Sequence, residues 1–178
     1  MSRPAIVADV PEISIRPVGA AEFAALADLT VAAYRAVPGG STSAGYEETL
    51  RDVATRAREA EVLVAVGEDG TLLGGITFVP GPGPYAEFSG PDEAGIRMLA
   101  VSPAAQRLGI GRRLVLECVA RAQAAGRARI VLHTTAAMTA AQSLYDALGF
   151  VRTPGRDAWP SPRTHLIAYV LELAPGRS

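Results

Sequence analysis

Arg97-Met98-Leu99-Ala100-Val101-Ser102-Pro103-Ala104-Ala105-Gln106-Arg107-Leu108-Gly109-Ile110-Gly111-Arg112 is the most informative stretch of this 178-residue chain. From Gly95 to Val101 the residues are apolar on both faces, which predicts a buried central strand. After Ser102-Pro103 the glycines open an amphipathic helix over about Gly109 to Ala125, with Leu114, Val115, Cys118, Val119 and Ala122 on one stripe and Gly126 as its cap. The free amide hydrogens at such a helix start, together with the positive end of its dipole, form an anion site. Gly109 and Gly111 are expected to keep side chains out of the path of a phosphate, with Arg107, Arg112 and Arg113 adding charge nearby. Two familiar phosphate motifs do not fit. The dinucleotide fingerprint needs a third glycine at 114, where Leu114 stands, and no Gly-Lys-Ser/Thr occurs anywhere.

The elements on either side follow from periodicity and breakers. Ile13 to Val18 alternates and meets Pro17, a short edge strand. Helices are predicted over Ala20–Arg35 and about Tyr46–Ala60, separated by Pro38-Gly39-Gly40. Glu61–Val66 and Thr71–Val79 form a hairpin around Gly67-Glu68-Asp69-Gly70. The segment Pro80 to Pro91 is too rich in proline and glycine for a regular element and reads as a loop of the length that often carries function. Beyond the central helix come a strand at Arg129–His133, a helix at Thr139–Leu148 stopped by Gly149, and a strand beginning at Phe150–Arg152. A Pro-rich loop over Thr153–Thr164 then leads to a last strand at His165–Leu173. The class is α/β: a single mixed sheet, antiparallel apart from one strand–helix–strand crossover, with flanking helices. One domain is expected over 1–178, its core at about 13–173.

Composition narrows the function. Seventeen arginines against eighteen acidic residues give a net charge of −1 with no lysine, which speaks against a broad nucleic-acid surface. The single Cys118 excludes an internal disulfide framework and paired-cysteine zinc sites, and no metal is expected. No run of about 18 apolar residues is present to span a membrane, and the interrupted start does not read as a secretory signal, so a cytoplasmic protein is expected.

Gln106-Arg107-Leu108-Gly109-Ile110-Gly111, preceded by Leu99-Ala100-Val101 and Pro103, resembles the pyrophosphate-binding motif of the GNAT superfamily of N-acetyltransferases. About 35 residues on, Ala141-x-x-Leu144-Tyr145-Asp146-x-Leu148-Gly149-Phe150 resembles that family's second signature. The element order matches the same fold over nearly the whole chain. The resemblance implies acetyl-CoA as co-substrate, lying where the fourth and fifth strands splay apart. Leu99, Ala100 and Val101 would bond its pantetheine arm through the backbone, and the amides of Gln106, Arg107, Leu108, Gly109, Ile110, Gly111 and Arg112 would hold its pyrophosphate. It further implies that Tyr145 protonates the departing thiolate, a role open to a phenol because it stays protonated at neutral pH. By residue type alone Tyr145 is a core tyrosine.

The family's frequent glutamate base falls near Gly95, which cannot serve. Glu93 and His133 are the alternative bases, each with a structural reading beside it: a solvated strand-end carboxylate and a backbone-bonded histidine. Met138 stands where the family often has an asparagine, whose contact would fall to Thr134, Thr135 or backbone. Cys118 reads as core, which points to direct transfer in a ternary complex. By the same resemblance Tyr34, Tyr46, Tyr85, Glu87 and Trp159 line the acceptor pocket, with Arg163 available for a carboxylate. The expected acceptor is a small-molecule or peptide amine, and a homodimer is left open. The alternative is a non-enzymatic acyl-CoA-binding or sensing module of the same fold.

Overall fold

The computed structural model describes residues 12–40, 42–86 and 90–174. One sheet runs through them, in the order β1-β2-β3-β4-β5-β8-β6, with β7 pairing β8. Its strands are β1 (Ile13–Pro17), β2 (Glu61–Gly67), β3 (Leu72–Val79), β4 (Glu93–Val101), β5 (Arg129–Thr134), β6 (Val151–Arg152), β7 (Ala158–Ser161) and β8 (Thr164–Glu172). All pairings are antiparallel except β4 with β5. That parallel pair is joined through α4 (Ile110–Ala124), the crossover expected of a strand–helix–strand unit.

The sheet has a helix layer on each face. On one face α4 buries Ile110, Leu114, Val115, Cys118 and Ala122 against Leu63, Ile76, Phe78, Ile96, Ile130 and Leu132, and α5 (Thr139–Ala147) adds Tyr145. On the other face α1 (Phe23–Arg35) sets Leu26 and Ala27 against Val62, Val64 and Val66. Val31 of the same helix meets Met98 of β4.

Three sequence expectations change. The helix predicted over 46–60 is two, α2 (Ala44–Arg51) and α3 (Val53–Glu59), broken at Asp52 with ψ 63°. Asp52 restarts the helix by accepting from the Thr55 amide at 3.1 Å, a cap that favours an end there over continuous winding. β4 begins at Glu93, two residues early, because Glu93 pairs with Arg129. The segment expected as a Pro-rich loop contains β7, where Pro160 is tolerated because the strand lies at an edge.

What positions the site is the parting of β4 from β5. Their pairing covers only Glu93 to Ile96 against Arg129 to Leu132. Past that point His133 and Thr134 pair only with β8, and β4 only with β3. Between Thr77↔Arg97 and Gly75↔Ala100 the β3–β4 register slips by one residue, so Met98 and Leu99 together oppose Ile76. Met98 takes φ +54°, unusual for a side chain of its size. A bulge bends its strand and sharpens the local twist, which carries the second half of β4 away from β5 and opens a wedge.

Candidate active site

The wide end of the wedge meets the start of α4. From Pro103 the chain makes one short helical turn, extends at Gln106, and enters the left-handed region at Arg107 (φ +68°) and again at Gly109 (φ +74°). Alternating hand in this way turns successive amides toward one point, the geometry of an anion nest. Among the described residues the amides of Gly109, Ile110, Gly111 and Arg112 find no backbone acceptor, and the first intrahelical bond at this end is from Arg113 to the Gly109 carbonyl.

At Gly109 the φ disfavours a side chain, and a Cβ there would point into open space. Gly111 has a different surrounding. Its Cβ would meet Leu144 Cδ2 at 3.3 Å, so this glycine lets α4 pack on α5 and does not clear the anion's path. Arg113 is also withdrawn from the cradle, donating to the Ile13 carbonyl at 2.7 Å and fastening α4 to β1. Arg107 and Arg112 are exposed beside the nest.

Leu99, Ala100 and Val101 lie on the half of β4 that has parted from β5, so their strand offers an unpaired edge to an extended chain, as in β-strand addition. Across the wedge, Thr134 is 4% exposed and its Oγ1 has no hydrogen-bond partner among the described residues. A buried hydroxyl left unbonded costs free energy unless something bonds it, so a polar ligand arm in the wedge fits both walls. At the expected asparagine position, Met138 is the residue just before α5, and Gln142 donates to the nearby carbonyls of Thr135 and Ala136.

Tyr145 is buried against Phe150 and Tyr169, with ring centroids 5.6 and 6.0 Å away. Burial pushes its phenol well above the usual range, with the neighbouring Cys118 thiol adding to it, so the hydroxyl is protonated at any physiological pH. Tyr145 is thus a core residue of the α4–α5 face, as its residue type alone suggests, and its hydroxyl keeps its proton.

The matches to known proteins agree with this geometry. The model of the acetyltransferase (GNAT) family matches residues 23–150. The chain belongs to the GNAT family. Two curated relatives are mycothiol acetyltransferases. The one from Cellulomonas flavigena is 36% identical over 106 residues, which is 55% of this chain and 30% of the relative. The one from an Arthrobacter species is 34% identical over 111 residues, 58% of this chain and 33% of the relative. The chain thus spans about a third of the length of these relatives.

Solved structures share the fold. A Staphylococcus aureus GNAT acetyltransferase superposes with TM-score 0.73 at 14% identity, covering 92% of this chain and all of that one. YncA from Salmonella typhimurium, solved with acetyl-CoA, gives 0.66 at 23% over 91% of this chain and 94% of its own. A Brucella melitensis GNAT protein, also with acetyl-CoA, gives 0.61 at 24% over 94% and 92%.

The two bases suggested by this GNAT sequence fare differently. Glu93 is 4% exposed and fully engaged. It accepts from Arg156 Nη1 and Nη2 at 2.6 and 2.7 Å, from Arg129 Nη1 at 3.3 Å, and from the Gly90 amide. The Arg156 bonds, reinforced by Gly90 and Arg129, bring its pKa down to about 2 despite burial. Glu93 also lies at the closed end of the wedge, four residues or about 13 Å of strand before Arg97. Neither its charge nor its place suits a base, and the expectation is corrected: it is a strut clamping β4 to β5 and the turn at Arg156.

His133 is the first β5 residue past the split. Its Nε2 lies 2.9 Å from the Arg156 carbonyl oxygen, so Nε2 carries the proton and the lone pair is on Nδ1. Burial lowers its pKa below the usual 6.5, which keeps the imidazole neutral and able to accept a proton at neutral pH.

On the α1–α3 face of β4, the Tyr34 and Tyr46 rings are 6.1 Å apart, and Tyr85 lies under the Arg97 guanidinium at 5.2 Å. Sequence reasoning missed Arg56 here. It is 1% exposed and donates to the Thr49 and Leu50 carbonyls and to Met98 Sδ. Its position three residues after buried Val53 was the available signal. Trp159 is 63% exposed and stacks on His165 at 4.3 Å, so the fold groups it with His165 and not with the tyrosines. Arg163 is in the exposed β7–β8 turn, and Glu87 falls outside the described residues. A solvent-open depression of about 460 Å³ lined by Val151, Arg156 and Glu172 lies on the β6–β8 side and includes no part of the amide cradle.

Proposed function

We propose that this chain moves the acetyl group of acetyl-CoA directly to an amine in a ternary complex, with His133 taking the amine's proton and Tyr145 supplying one to the departing sulfur. The observation that carries this reading is the wedge itself. One strand edge and one amide nest without backbone acceptors lie at its wide end, His133 follows the point where it closes, and the Tyr145 phenol is buried in the core on the α4–α5 face. Acetyl-CoA supplies a thioester, and its C–S bond breaks as the C–N bond forms.

The chain's own groups divide the remaining work. The nest at Gly109–Arg112, with exposed Arg107 and Arg112, opposes the charge of a pyrophosphate. The free β4 edge and Thr134 Oγ1 orient an amide-bearing arm between the strands. His133 receives a proton on Nδ1, since Nε2 is held by the Arg156 carbonyl. Tyr145 donates its hydroxyl hydrogen, and burial, which raises its pKa, disfavours a lasting phenolate and so favours its prompt reprotonation. Cys118 takes no part: it is fully buried on the α4 stripe and its thiol is pushed far up by desolvation.

The engagement of Glu93 favours one second reading, an acyl-CoA-binding module without turnover, because β4 then offers no free carboxylate base. Release of coenzyme A in the presence of acetyl-CoA and a broad amine panel separates the two. Amine-dependent release supports transfer. Tight acetyl-CoA binding with release no faster than hydrolysis across the panel overturns transfer in favour of the binding module.

A further inference from the structure

The arginines of this chain differ in their partners: Arg58, Arg113 and Arg127, for example, bond a hydroxyl or carbonyls and no carboxylate among the described residues. Arg121, Arg129, Arg152 and Arg156, all partly buried, each pair with one or more carboxylates. Arg56 and Arg97 have no carboxylate partner among the described residues, although Arg56 is the most deeply buried charged side chain of the core. Carbonyls at the C-terminal end of α2 offset part of its charge, since that end of a helix carries partial negative charge. Its Nε is buried with no partner. Arg97 reaches only the Tyr85 carbonyl, at 3.4 Å, and the Tyr85 ring.

Both guanidiniums lie on the same side of β4 as the phenols of Tyr85, Tyr34 and Tyr46: Arg97 is 5.2 Å from the Tyr85 ring, and Arg56 bonds Sδ of Met98, the next β4 residue. Those phenols are neutral hydrogen-bonding groups, so they solvate an anion without cancelling the arginines. A buried positive charge without a counter-ion costs several kcal/mol, and a site built this way awaits a negative partner. Its place is specific. Arg97 is the first β4 residue beyond the pairing with β5, and His133 is the first β5 residue beyond it. An anion on Arg97 therefore lies across the opening from the base.

We propose that the acceptor amine also carries a carboxylate a few bonds from its nitrogen, as an α-amino acid does, and that Arg97 receives it within the field of buried Arg56 and the hydroxyls of Tyr34, Tyr46 and Tyr85. This rests on the acetyl-transfer reading above and narrows its substrate class. The carboxylate fixes the molecule so that its nitrogen faces His133 and the opening between the strands. A neutral or polycationic amine would leave both arginines uncompensated.

The test compares each of the twenty α-amino acids with the amine formed by its decarboxylation, measuring kcat/KM for acetyl transfer by the full-length protein. At least one acid should exceed its own amine by about 30-fold or more, the scale of a desolvated charge pair. Arg97→Gln should bring that ratio close to one, and Arg97→Lys should restore part of it. Acetylation of amines with no acid preferred would overturn the carboxylate subsite and leave acetyl transfer standing, as would an Arg97→Gln ratio equal to that of the wild type. No acetylation of any compound would overturn the transfer reading and this one together.

Discussion

Replacing Glu93 by glutamine preserves the outline of the side chain and removes its charge. In the folded chain that carboxylate binds both Nη atoms of Arg156, Nη1 of Arg129 and the Gly90 amide, and its pKa falls from 4.5 to about 2. The depression corresponds to about 3 kcal/mol of stability carried by the ionised form. Because the folded pKa lies below the unfolded one, this stability is complete above pH 4.5 and lost as pH falls from there toward 2. Glu93→Gln also leaves Arg156 facing a neutral amide, a loss of the same order as breaking a buried pair. The variant should therefore melt about 6–12 °C below wild type at pH 7. The gap should narrow as the pH is lowered through 4.5, and kcat for any accepted amine should stay essentially unchanged. Thermal unfolding from pH 7 to pH 3, with rates on the folded variant, reads both quantities. An unchanged Tm with kcat down a hundredfold or more would refute the strut and return Glu93 to the role of base.

Tyr145→Phe removes only a hydroxyl, so acetyl-CoA affinity and Tm should hold while kcat falls by about 10²–10⁴, checked by calorimetry beside steady-state rates. With an acceptor amine of low pKa, the wild-type rate should rise with pH along a limb centred below 6.5, since burial lowers His133, and His133→Ala should lose that limb. Gly111→Val forces carbons into Leu144, so it should destabilise by about 1–3 kcal/mol in thermal unfolding, as an overpacked helix contact does.

Local signals carried the centre of this fold, and distant pairings decided the rest. The strand at 95–101, the turn and the helix from about 109 were legible because apolar runs, proline and glycine punctuate them within one window. The wedge was legible only through resemblance. Its physical cause, the bulge at Met98, has no glycine to mark it and is fixed by β3 pairing and by Arg56 contacting Met98 Sδ. Glu93 read as an accessible carboxylate because its neutraliser, Arg156, is 63 residues away in sequence. Asp52-x-x-Thr55 was a visible helix start inside what periodicity alone treated as one helix. β7 was hidden because its pairing with β8 outweighs the local loop tendency of Pro160. Arg56 lies among Arg58 and Glu59, whose charge masks it, although its spacing from Val53 places it on the packed face.

The claim on which the rest depends is that the left-handed turn and amide nest at Gly109 hold the pyrophosphate of acetyl-CoA. Gly109→Asp addresses it with little risk to the fold, since a Cβ at 109 meets nothing within 4 Å and aspartate tolerates the left-handed conformation better than most residues. Acetyl-CoA binding by calorimetry, with Tm measured alongside, should show the wild type binding and the variant about a hundredfold weaker, or about 2.7 kcal/mol, in a chain that remains folded. Equal affinity in a folded Gly109→Asp protein would contradict the account.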